Sequence, residues 1–419
     1  MLRKKTIAAL AAVALIFTVS GCGGNSNDKK SETTGNDVKI TFLSTRTDIV
    51  DTTLRKFADN FEAENPGIKL EIEAVKDYNN IAKTRLAAGE LTDVYRQIGG
   101  IKINDWEKYY LPLDDLSFAD DMLFRDYNSY NGVLYSISTY ANYSGILYNK
   151  KAFEKAGITE LPKTLSELYE ASEKLKAAGI VPTSAFYKDK WPTENWTTKL
   201  GPLMLPKADC FTEMVETDTP FAKDTAMYKA AGLYRSMYDK GYFEEDLMST
   251  SWEGFKPAFA KGEFGWVLSE TWLIPQIIEN GASSDDIGFI PFPIDDSGEL
   301  KTYLIPDDTL VVNKNSKHPE EAKKFLTYIM NGGYDEWLGL TGGFSTRKNY
   351  NGKASVQVEE FLKFNPAVIE RVRENDDVLA LINKAQIGWA DLAIQSVSSP
   401  DLDSAMAVMN EKWSKARAK

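Results

Sequence analysis

Histidine occurs once in 419 residues, as His318, and cysteine twice, as Cys22 and Cys210. One histidine, standing before Pro319 in "NSKHPEE" where a solvent-facing helix start is expected, excludes a Ser-His-Asp triad and any histidine-rich metal site. A phosphate-cradling glycine loop of the Walker type is also missing. Basic residues are in the minority: 49 Lys and Arg against 61 Asp and Glu leave a net charge of -12. A nucleic-acid partner would want a basic face, so none is expected. An acidic surface suits a neutral or cationic small molecule, or solubility alone. What remains is the composition of an ordinary folded protein, 43% hydrophobic and 26% charged. The length exceeds that at which a single core keeps growing, so two lobes are expected.

The first residues, "MLRKKTIAALAAVALIFTVSGC", place Arg3, Lys4 and Lys5 ahead of an apolar run from Ile7 to Val19. That is the layout of a secretory signal peptide, and the run is too short to span a bilayer comfortably. The ending "VSGC" resembles the lipobox of bacterial lipoproteins. The resemblance implies a signal peptide over residues 1–21 and lipid attachment, with palmitate-like acyl chains, at Cys22. Two acyl chains suffice for stable anchoring where one does not. Residues 22–36, rich in Gly, Ser, Asn and Lys, read as a flexible tether. A bridge from Cys210 to Cys22 would consume the lipid site, so none is expected, and Cys210 reads as a small buried side chain.

Folded sequence begins at "DVKITFLS", where Val38, Ile40 and Phe42 alternate with polar residues as in a strand. Val50, Leu54, Phe57 and Phe61 then fall at helical spacing, with Asp48 placed to serve the first turn and Asn65-Pro66-Gly67 to stop it. "IKLEIEAV" reads as a second strand, a helix carries Ile81, Leu86 and Leu91, and "DVYRQIGG" reads as a third strand. Strand–helix–strand–helix–strand predicts a mostly parallel α/β sheet whose ligands bind beyond the strands' carboxyl ends. "STRTD" (Ser44 to Asp48) and "RQIGG" (Arg96 to Gly100) would share that rim. Further on, "KTLSELYEASEKLKAAGI" offers a helix opened by a capping box of Thr164 and Glu167.

The ordered set "KTRLAAGELTDVY", "NGVLYSISTYANYSGILYNKKAFEKAGI", "LPKTLSELYEASEKLKAAGIVP", "FAKGEFGWVLSETW" and "LVVNKNSKHPEEAKKFLTYIMN" resembles the extracellular solute-binding proteins of carbohydrate ABC transporters, the maltose-binding-protein type. The resemblance spans nearly the whole mature chain and rests on the order of segments. It implies a two-lobe periplasmic-binding-protein type II fold with a ligand cleft between lobes. Lobe one would take residues 37–140 and 299–350. Lobe two would take 141–298, and the C-terminal helices at 351–419 would close the cleft.

Sugars present apolar C–H faces and polar rims, so aromatic walls with a few placed polar groups suit them. By the resemblance, Trp272 is a sugar-stacking ring with Glu270 beside it to accept hydroxyls. Thr45, Arg46 and Asp48 follow the first strand on a contacting loop, Gln97 ends the third strand, and Asn142 with Tyr140 lies near the first crossover. Trp196 matches an aromatic wall of lobe two, with Trp191 as the other candidate, and Trp389 matches a C-terminal stacking aromatic. Trp252 and Trp266 read as core. Where relatives often have a glycine-rich run this chain has "YLIPDDTLVV", so Asp307 and Asp308 either bring carboxylates to the cleft or form an exposed polar turn.

The implied activity is binding without catalysis: a monomeric, lipid-anchored receptor on the extracellular face of the cell membrane, without cofactor or metal. It would close on a sugar, an oligosaccharide in preference to a monosaccharide, and deliver it to an ABC permease. Hinge bending is expected around Ser138 to Ser144 and Pro293 to Lys301. A sensory or adhesion lipoprotein of the same fold is the alternative. A glycoside hydrolase would need a carboxylate pair, for which Glu270 with Asp307 or Asp308 is the candidate.

Overall fold

The alternation at the start of the folded sequence forms strand β1 (Val38–Ser44), which lies parallel to β2 (Ile68–Ala74) and to β3 (Val94–Arg96). This computed structural model describes residues 37–205, 210–373 and 375–418. The signal peptide, the tether and Cys22 lie outside the described residues. Between β1 and β2, the helix Thr53–Glu64 buries Leu54, Phe57, Ala58 and Phe61, one helical face turned to the core. That helix starts well past Asp48, so the carboxylate does not serve its first turn. Instead it takes a two-point hold on Arg46, Nε to Oδ1 at 2.9 Å and Nη2 to Oδ2 at 3.0 Å.

The remaining strands of the main sheet are β4 (Ile137–Asn149), β5 (Trp266–Glu270), β6 (Ile287–Ile290), β7 (Lys301–Val312) and β8 (Ala367–Glu370). The order across the sheet is β2-β1-β3-β7-β4-β5, with β6 also beside β4 and β8 beside β7. The two long strands are shared. β4 pairs antiparallel with β7 from Ile137 to Tyr143, then with β5 and β6 from Ser144 to Asn149. β7 pairs with β8 at Lys301–Leu304, with β4 through the middle, and with β3 at Leu310–Val312.

The buried side chains sort into separate cores along these strands. Ile40, Phe42, Phe57, Phe61, Phe325 and Trp337 pack with Ile137, Tyr140, Leu310 and Val312 in lobe one. Ile146, Trp266 and Phe292 pack with Tyr303 and Ile305 in lobe two. β4 therefore changes core between Tyr140 and Ile146, and β7 between Ile305 and Leu310. The first crossing coincides with Ser138 to Ser144. The second lies at Pro306 to Thr309, beyond the expected Pro293 to Lys301, because β7 runs on into lobe one, its pairing with β4 missing only at Asp308.

Two further clusters complete lobe two. Leu147, Phe255 and Phe289 pack with Phe361, whose ring stacks on Phe289 at 4.7 Å. The C-terminal helix Leu402–Arg417 sends Met406, Met409 and Trp413 against Phe211 and Met227, and buried Cys210 sits in this group.

Candidate functional site

The carboxyl ends of β1 and β3 open on a cavity of about 380 Å³, lined on its far side by Arg371, Arg373, Asp376 and Trp389. Thr45, Gln97, Asp307 and Trp389, all expected at a ligand site, line it together with Tyr78, Asn79 and Arg96. Trp389 opens the helix Trp389–Ser398, and its carbonyl accepts from Thr197 Oγ1 at 3.0 Å. The Arg373 guanidinium lies between the Trp106 and Tyr127 rings, 4.2 and 4.3 Å from their centroids. Asp376 accepts from the Ile103 backbone N–H at 3.2 Å. The sequence marks Arg96 only as a rim residue, and Arg373 and Asp376 not at all. Those two stand in "RVREND", which has neither a period nor a motif to mark it.

The cavity floor is charged. Arg96 Nη2 donates to Asp307 Oδ1 at 2.6 Å, and its Nε stands 3.9 Å from Asp308 Oδ1. Burial opposes the Arg96 charge, but the nearby carboxylates of Asp307 and Asp308 outweigh it, and the guanidinium pKa is raised. Asp308 is the less well served carboxyl. Burial pushes its pKa up to about 6, Arg96 opposes the rise and the Asp307 charge adds to it. Its backbone has φ of 39°, the left-handed region that a non-glycine residue adopts at a cost. Its N–H donates to Asp307 Oδ1 at 2.6 Å. The pair thus forms no exposed polar turn: both residues lie within β7 and are partly buried.

Trp272 belongs to a second group of residues. Its ring is half-buried and packs against the cores of both lobes. Its Nε1 donates to Glu270 Oε2 at 3.1 Å, and Lys199 Nζ stands 2.7 Å from Glu270 Oε1. Glu270 is 3% exposed with both oxygens engaged, which makes it the holder of the ring. Trp252 and Trp191 complete an indole cluster, at 5.6 and 6.1 Å from Trp272. Arg46, beside Asp48, reaches across from lobe one to Glu279 at 3.8 Å.

Three expected positions turn out to be interior. Trp196 is 2% exposed and sits edge-on to Tyr234 and Phe292, which corrects its reading as a cleft wall: its neighbours in "WPTENWTTKL" form a short helix that turns it inward. Trp191, 43% exposed, is the surface member of that segment. Tyr140 is buried with Gly343 against its ring; a Cβ on Gly343 would stand 2.2 Å from it. Asn142 is fully buried between the lobes. Trp252, read as core, is buried yet touches Trp191 at 4.8 Å.

Two α/β lobes joined by shared strands around a polar cavity with aromatic edges make a receptor for a small solute. Residues 46–332 match the model of the bacterial extracellular solute-binding protein family, and the chain belongs to that family. Its members bind solutes and are not enzymes. Among curated relatives, the multiple sugar-binding protein of Streptococcus mutans is 25% identical over 315 residues, spanning 73% of this chain and 74% of the relative. The diacetylchitobiose binding protein DasA of Streptomyces coelicolor is 25% identical over 385 residues, spanning 85% and 86%. Among solved structures, the manno-oligosaccharide-specific solute-binding protein of Bifidobacterium animalis subsp. lactis, in complex with mannotriose, superposes with a TM-score of 0.79 at 25% identity. That match covers 92% of this chain and 96% of the other.

Proposed function

We propose that the protein binds an oligosaccharide in the cleft between its lobes and hands it to the permease of an ABC importer, held at the extracellular face of the cell membrane by lipid on Cys22. The observation that carries this reading is a cavity with Gln97, Asn79, Thr45 and the Arg96–Asp307 pair on its walls and Trp389 at its edge. Hydroxyls need placed donors and acceptors, and a pyranose face needs a ring; this lining offers both. The three relatives above are named for sugars, which supports the same class of ligand. Lobe one would comprise residues 37–140 and, from the second crossing at Pro306 to Thr309, the chain on to residue 350; lobe two would take the rest of the folded chain, and the receptor would act as a monomer. Closure follows if the ligand contacts both lobes only in the closed form, since only differential affinity shifts such an equilibrium.

A thermal-shift panel of mannotriose, diacetylchitobiose, raffinose, a uronic-acid oligosaccharide and an amino acid mixture tests the proposal. A neutral oligosaccharide should raise the melting temperature in proportion to the logarithm of its concentration above the dissociation constant. Stabilisation by the amino acids alone would overturn it. Mass spectrometry of detergent-extracted protein should find a diacylglyceryl mass on Cys22.

A further inference from the structure

Asn142 is 0% exposed, at the point where β4 leaves lobe one, and faces Ile305 across the ladder. An apolar side chain would serve packing there, and a buried amide is costly unless it finds partners. Asn142 finds one for its nitrogen and one for its oxygen, on two elements that belong to opposite lobes. Asn142 Nδ2 donates to Asp307 Oδ2 at 3.0 Å, and its Oδ1 accepts from Thr271 Oγ1 at 2.7 Å. The amide orientation is set by chemistry: the Asp307 carboxylate can only accept, so Nδ2 must face it, and the Thr271 hydroxyl must then donate. Asp307 Oδ1 in turn takes Arg96 Nη2 at 2.6 Å.

A continuous file of hydrogen bonds therefore runs Arg96, Asp307, Asn142, Thr271. It begins on a cavity-lining guanidinium in lobe one and ends on the residue directly before Trp272. Thr271 is itself 0% exposed, its carbonyl accepts from the Ile274 N–H, and its hydroxyl is held by the amide. Resting on the oligosaccharide reading above, we infer that Asn142 is a positioning residue: it couples the charged floor of the cavity to the aromatic turn across the hinge, without touching ligand. Movement of Arg96 or Asp307 on ligand binding is passed through the amide to the Trp272 turn. From Asp307 to Thr271 the file is largely shielded from water, so a lost member leaves its neighbours unmatched rather than resolvated.

Exchange of donor and acceptor tests the inference. In N142D two carboxylates face each other and the Asp307 bond is lost. In N142D/D307N the two side chains trade places. The amide introduced at position 307 donates to the carboxylate introduced at position 142, which still accepts from Thr271. The file is restored with the net charge of the parent. The first readout uses no sugar: Trp272 emission, isolated by subtracting the W272F counterpart of each variant. N142D, and T271V at the other end of the file, should both shift this emission, and N142D/D307N should return it. The second readout is affinity for mannotriose, expected about tenfold weaker in N142D and recovered in part in the double variant. Unchanged Trp272 emission in both N142D and T271V, or a double variant no closer to the parent than N142D alone, overturns the inference. If N142D does not fold, T271V decides by the same emission criterion. Failure of mannotriose to bind the parent counts against that sugar as ligand, and leaves the emission result to judge the coupling.

Discussion

At the scale of single residues, the two tryptophans of "WPTENWTTKL" show what a sequence can and cannot tell. Both rings stand out as candidates, but their sides do not, because a short helix over Asn195–Thr198 has no period long enough to declare a face. Trp196 goes inside and Trp191 outside. Glu270 is legible as a neighbour of Trp272 but not as its holder, since Lys199, which occupies its other oxygen, is 71 positions away in the chain. If Trp272 stacks on sugar as the resemblance implies, Trp272→Ala should weaken oligosaccharide binding by about 2 kcal/mol, with titration calorimetry as the measure. Unchanged affinity with a lowered melting temperature would make the ring structural. Asp308 makes a pH prediction. Its folded pKa of about 6 lies above the ordinary 3.8, so the folded protein holds that proton more firmly than the unfolded chain. Its ionisation therefore costs stability above pH 6, and the cost is relieved as pH falls from about 6 towards 4. D308N cannot titrate, so the melting temperature of the parent relative to D308N should rise as pH is lowered through that window. A difference independent of pH would refute the assignment.

At the scale of elements, local pattern is the reliable guide. The capping box at Thr164 and Glu167 is formed as read: the Glu167 N–H donates to Thr164 Oγ1 at 3.2 Å and Glu167 Oε2 accepts from the Thr164 N–H at 3.1 Å. Thr164→Ala should lower stability by about 1 kcal/mol in denaturant unfolding, with Thr164→Ser close to the parent. Pro319 opens its helix, as its missing N–H allows. Asp48 suits a helix start or a local ion pair equally in sequence; the helix begins only at Thr53, and Arg46, two positions away, takes the carboxylate. Asp307 and Asp308 stay open in sequence for a related reason. Two acids in a row suggest a turn, yet the strand accommodates them by a left-handed residue and an arginine that lies 211 positions from Asp307.

For the whole molecule, the α/β class and the family are legible because they rest on the order of elements, which composition and spacing preserve. The place of the second crossing is not, since it depends on which core each residue of β7 enters. Closure about these crossings should reduce the radius of gyration in solution when a binding oligosaccharide is added. An identical scattering curve with and without saturating ligand would rule out the hinge mechanism.

The two strands that join the lobes remain extended through the passage, β4 over 13 residues and β7 over 12, and stay paired on both sides of a single missed pair at Thr139 and Asp308. A loop hinge would swing by letting a few peptide units jump between conformations. A paired ribbon instead deforms by a small torsion spread over many units, none of which has to leave its own basin. Such a joint stores its strain elastically and returns it, so repeated cycles of filling and emptying would meet no slow internal step.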